Sequence, residues 1–70
     1  MIKDINYDLV KMLHSKFDSV WRLERFYIND ANQAKCESES VLNKILEEDR
    51  QHIQELIAEI KKRMDAGTFE

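Results

Sequence analysis

The sequence contains no proline, and its only glycine, Gly67, stands near the C-terminal end. Those two residues supply most of the turn chemistry that β-hairpins and tight loops require. A chain almost without them is read as helix until something else breaks it. The apolar residues agree. From about residue 4 to 34, Val10, Leu13, Phe17, Val20, Tyr27, Ala31 and Ala34 recur at alternating steps of three and four, with Glu24 in the remaining slot. Leu9, Met12, Trp21, Leu23 and Ile28 widen this stripe to roughly half the helix circumference. From about residue 40 to 66, Leu42, Ile45, Leu46, Ile53, Leu56, Ile57, Ile60 and Met64 form a second stripe. The expectation is an all-α chain: one domain over residues 1–70, folded as an antiparallel hairpin of two helices. Arcs this wide exceed what one partner helix covers, so two hairpins are expected to complete a four-helix bundle as a homodimer or higher oligomer.

The turn is expected at about residues 35–39, where Lys35 to Ser40 is polar and Ser38 or Ser40 is placed to cap the second helix. Asp30 followed by Gln33 is a competing capping signal that would move the turn to about residue 29. The later turn leaves two helices of similar length whose stripes end together. A single unbroken helix in a long coiled coil is the third arrangement the residues permit. At the far end, Lys61, Lys62 and Arg63 suit the C-terminus of a helix. Gly67 suits the position just past it, and Thr68 to Glu70 are expected to fray.

Seventy residues hold little core, so a partner, a metal or disulfides must add stability. Cys36 is the only cysteine, which excludes a disulfide within the chain and points to a reducing, cytoplasmic setting. Lys3, Asp4 and Asp8 leave no apolar leader near Met1. No apolar run is long enough for a membrane span. A net charge of −3 offers no footprint for nucleic acid or an anionic membrane.

Two carboxylates stand out on the stripes. With about 100° per residue, Glu24 falls at about 40° from Val20, between Val20 and Phe17. Asp49 falls between Ile60 and Leu56 on the second helix, and His52 lies one turn further along at the stripe edge. A turn centred between residues 36 and 37 brings Glu24 and Asp49 to one level of the hairpin. A buried carboxylate is costly unless paired or metal-bound, and two facing ones oppose each other's ionisation. A divalent cation would relieve both. A cation or hydroxyl from the protein would serve as well, with Arg50 or Arg25 at hand.

Asp49-Arg50-Gln51-His52 resembles the Glu-x-x-His motif of the ferritin-like di-iron carboxylate proteins. The resemblance implies that Glu24, Asp49 and His52 are the metal ligands contributed by one hairpin. Two hairpins would then complete a site for iron or another divalent metal, with iron oxidation or storage as its work. Here Asp49 stands where that motif has glutamate. The alternative is a helical-hairpin interaction or regulatory module without a metal, which needs no special residues. His14 reads as surface and Cys36 as an ordinary thiol. Trp21, Phe26 and Tyr27 read as core or interface, with Phe26 off the main arc as a further contact surface.

Overall fold

The computed structural model describes residues 4–69. Helix α1 spans Asp4–Arg22, a π-helical segment spans Leu23–Tyr27, α2 spans Ile28–Ala34 and α3 spans Ser38–Asp65. α1, the π segment and α2 follow one another without a break and form one arm of an antiparallel hairpin, and α3 forms the other. The rod measures 49 × 18 × 14 Å. No strand occurs among the described residues. No helix among them is long and apolar enough to cross a membrane.

The chain reverses at Lys35–Glu37, and the helix runs straight through residues 29 and 30. Asp30 therefore caps nothing. Lys35 takes a left-handed conformation (φ 54°, ψ 44°). Its N–H reaches the Asn32 carbonyl at 3.1 Å, and the Cys36 N–H reaches that of Ala31 at 3.4 Å. This pair of bonds satisfies the last carbonyls of α2, a job that glycine does at lower steric cost. Neither serine caps α3: its N-cap is Glu37, with no side-chain bond to the helix. The side chain of Asn32 instead crosses the turn to Glu39 at 2.9 Å. Lys35→Gly should stabilise the protein by about 1 kcal/mol, because a left-handed residue with a Cβ costs about 1–2 kcal/mol and glycine's extra unfolded-state freedom offsets part of the gain. Urea denaturation at fixed protein concentration reads the change.

The other end is pinned rather than frayed. Gly67 is left-handed (φ 73°). The Gly67 and Thr68 N–H groups bond back to Met64 and Arg63 at 3.0 and 2.9 Å, the same capping geometry as at the turn. Asn6, fully buried on α1, donates from its side-chain amide to the Thr68 carbonyl at 2.9 Å. It accepts from Arg63 Nε at 2.6 Å. A buried amide is costly unless bonded, so this pair of contacts fixes the tail. It also fixes the register of α1 against α3, as a single buried asparagine does in coiled coils. Glu70 lies outside the described residues.

The core inside the hairpin is thin: among the described residues, Leu23, Ala31, Leu46 and Ile53 are the buried apolar ones. The line on α1 that faces α3 runs Asn6–Leu13–Val20 and Leu9–Lys16–Leu23, each in steps of seven. It does not follow the centre of the broad stripe. After Leu23 the next buried residue of that line is Ala31, eight residues on rather than seven. In an unbroken α-helix this step would rotate Ala31 by about 80° away from α3. The π segment absorbs the extra residue, its wide turn marked by the bond from the Ile28 N–H to the Leu23 carbonyl. Leu23 and Ala31 thereby face the same way.

Candidate functional site

The three residues singled out in the sequence occupy three different settings. Glu24 lies in the π segment and is not buried: its side chain is 49% exposed and pairs with Arg50 at 3.2 Å. Arg50 in turn holds Glu47, one turn back on α3, at 2.9 Å. The expectation of a buried Glu24 assumed that the centre of the apolar stripe faced α3. The actual seam runs along one edge of that stripe, which leaves Glu24 at the surface. Pairs as exposed as these contribute little to stability, about 0–1 kcal/mol.

Asp49 is buried, 5% exposed, in the seam between α1 and α3. One carboxylate oxygen accepts from Lys16 Nζ at 3.0 Å and the other from Ser19 Oγ at 2.6 Å. Burial alone would raise its pKa. The Ser19 hydrogen bond, the Lys16 hydrogen bond and charge, and the nearby His52 outweigh that effect and hold it below the ordinary aspartate value. The carboxylate is thus satisfied by a cation and a hydroxyl, both from α1. Lys16 and Ser19 were missed in the sequence, although Lys16 occupies the seam position between Leu9 and Leu23 at steps of seven. A cation there, facing a mid-stripe aspartate on the other arm, was the available signal.

His52 is half-exposed, with Nδ1 3.9 Å from Asp49 Oδ1. It borders an open groove of about 420 Å³ lined by Leu9, Met12, Lys16, Leu56 and Glu59 among others. Asp49 and His52 are therefore brought together, while Glu24 is held by Arg50. Among the described residues of one chain, no three of His, Cys, Asp or Glu are gathered so as to hold a metal ion.

The surface is as informative as the seam. Val10, Phe17, Ile57 and Met64 are 40, 51, 47 and 59% exposed. Val10, Phe17 and Glu24 stand seven apart on one arm, and Arg50, Ile57 and Met64 seven apart on the other. Seven residues fall about 20° short of two full turns, so each trio lies along one face of its helix. The Glu24–Arg50 contact joins the two lines and puts them on the same face of the hairpin. Counted seven residues at a time along the two lines from that contact, Phe17 corresponds to Ile57, and Val10 to Met64. The half-buried Leu13, Val20 and Ile60 belong to the seam beside these lines.

A further aromatic group stands beside this face. Trp21 and Phe26 meet edge to face with ring centres 5.3 Å apart, and Arg25 lies over the Trp21 ring at 5.9 Å. Residues five apart meet on one side because the π segment widens the turn there. Cys36 is exposed at the turn, and its thiol lies 3.8 Å from the Ala31 carbonyl. No protein-family model, curated protein or solved structure matches the chain.

Proposed function

We propose that the protein is a helical-hairpin association module, whose work is to pack the face of Val10, Phe17, Ile57 and Met64 against another helical pair, in the first instance a second copy of itself. The observation that carries this reading is the area left uncovered. A compact monomer of 8.4 kDa exposes about 4,600 Å². This hairpin exposes 5468 Å². The difference, about 850 Å², is close to the roughly 800 Å² that each partner contributes to a standard stable interface. A dimer of hairpins would supply the core that the few apolar side chains buried among the described residues do not.

Sedimentation equilibrium across micromolar concentrations tests it. A folded hairpin should shift from monomer to dimer as concentration rises. A folded monomer at every concentration overturns the reading.

The ferritin-like alternative, an inter-subunit iron site built from Glu24, Asp49 and His52, has one geometric observation in its favour, the 3.9 Å approach of His52 to Asp49. It requires Asp49 to release Lys16 and Ser19, and Glu24 to release Arg50. The same sedimentation runs with ferrous iron under anaerobic conditions separate the two. Iron co-sedimenting in fixed ratio with the dimer supports the metal site, and a dimer free of iron supports association alone.

A further inference from the structure

Resting on the association reading, we propose that two copies dock with their turns at the same end, so that Glu24 and Arg50 of each close an alternating ring of four charges across the interface. The exposed face is not uniform along its length. Away from the turn its rungs are apolar, Val10 with Met64 and Phe17 with Ile57. Next comes the charged rung of Glu24 and Arg50. The rung nearest the turn is polar, with Asn32 and Asn43 both exposed. Asn32 follows Glu24 by eight residues rather than seven because the π segment lies between.

A two-fold axis along the rod keeps every rung at its own level. Apolar rungs then meet apolar rungs, and the charged rung meets its own copy. Around that layer each Glu24 has Arg50 of its own chain on one side and Arg50 of the second copy on the other. The two glutamates face only across the diagonal. Glu47, which also holds Arg50 from one turn away, lies outside the ring and adds negative charge beside each arginine. Every neighbouring pair of helices in this bundle is antiparallel, as in up-down-up-down bundles.

The opposite arrangement, with turns at the two ends, fails rung by rung. Full overlap would set Phe17 and Ile57 against Glu24 and Arg50, and Val10 and Met64 against the asparagines. Each charge would then be buried against carbon without a new partner, which is costly. Sliding the copies until only their apolar halves overlap would restore the match but leave much of the surplus surface uncovered.

The other flank carries a groove lined by Leu9, Met12 and Leu56, but charged groups border it: Lys16 and His52 beside Asp49, and Glu55 and Glu59 further along. The charge layer therefore selects both the face and the orientation, in the way that polar layers fix register and partner in coiled coils.

Cys36 provides the ruler without any substitution. It is exposed at the turn and is the only cysteine. A nitroxide attached there, read by pulsed electron resonance on the dimer, should give a distance within about 30 Å, set by helix spacings of 8–10 Å plus the label arms. A distance beyond about 40 Å, the length of α3, means turns at opposite ends and overturns the inference while leaving association intact. A chain that stays monomeric overturns both.

The ring itself is read by mixing two variants, Glu24→Arg and Arg50→Glu, in equal amounts. In the same-end arrangement the mixed dimer alone has opposite charges across the interface. Native mass spectrometry should then show it well above the half expected from random pairing. Random pairing between the variants overturns the ring.

Discussion

Phe17→Asp is expected to weaken self-association by at least about 100-fold, or about 2.7 kcal/mol, while leaving the hairpin helical. Phe17 is 51% exposed in the hairpin, so its ring contributes little to the intrachain core. In the proposed dimer it lies on the apolar part of the docking face, together with Ile57. An aspartate there loses the ring's buried area and takes a carboxylate out of water, and two-fold symmetry imposes both losses twice. Met12→Asp is the control. Met12 is equally exposed but lies on the opposite flank, beside the groove that His52 borders. Sedimentation equilibrium of the two variants, with far-ultraviolet dichroism to confirm helix content, decides the matter. Equal loss of dimer in both would mean that the wrong face has been assigned.

The second large effect is inside the hairpin. Asp49→Leu should destabilise the fold by about 2–3 kcal/mol, although leucine extends the apolar seam. The substitution leaves the Ser19 hydroxyl and the Lys16 ammonium without their acceptor. Breaking a fully buried pair costs about 3–5 kcal/mol. The cost here is smaller because Lys16 is 27% exposed and its amine can swing to water. Asp49→Asn keeps the shape and one acceptor, and should lose roughly half as much.

The acid limb identifies the cause. The folded-state pKa of Asp49 is lowered, so the pair stabilises the protein above the unfolded aspartate value of about 3.9. That contribution disappears as pH falls through the lower, folded value. The stability difference between the wild type and Asp49→Asn should therefore shrink as pH falls below about 4. Urea denaturation at fixed protein concentration measures it, because association itself adds stability by mass action. A variant more stable than the wild type at neutral pH would show that the aspartate is a strained ligand awaiting a metal rather than a satisfied partner of Lys16.

Helix content and the hairpin arrangement were legible in the sequence because they depend on features one residue type can signal. Missing proline, a lone Gly67 and apolar steps of three and four suffice. The centre of burial was not legible. On a stripe half the circumference wide, the seam can lie along either edge, and only the partner helix decides which. The seam took the Leu9–Lys16–Leu23 edge, which moved Glu24 to the surface and left Val10 and Phe17 exposed.

Asp49 was correctly placed in the buried stripe, because there the stripe and the seam coincide. Its partners were harder to see. Lys16 reads as a solvated cation and Ser19 as a surface hydroxyl until α3 is laid against them. Asn6 was overlooked for a similar reason. It stands seven residues before Leu13 and fourteen before Val20, and a polar residue in phase with two apolar ones is the mark of a register-setting position. The tail was expected to fray on local grounds, and a contact across the whole chain, from Asn6 to Thr68, holds it instead.

The π segment gives the longer arm a spare residue. The arm on either side of it keeps the period that suits α3, and the two runs differ in phase by the single position taken up between Leu23 and Tyr27. Loss of one residue inside that window would close the wide turn into an ordinary one and leave both runs facing α3. The same loss in α1 would swing everything upstream by about 100°, dragging Asn6 off Thr68 and Lys16 off Asp49. Within the longer arm, tolerance to the loss of a residue is thus confined to one turn. That turn also holds Glu24 and Phe26 and lies beside Trp21, so the surface of the hairpin can be reshaped by a deletion there without rebuilding its interior.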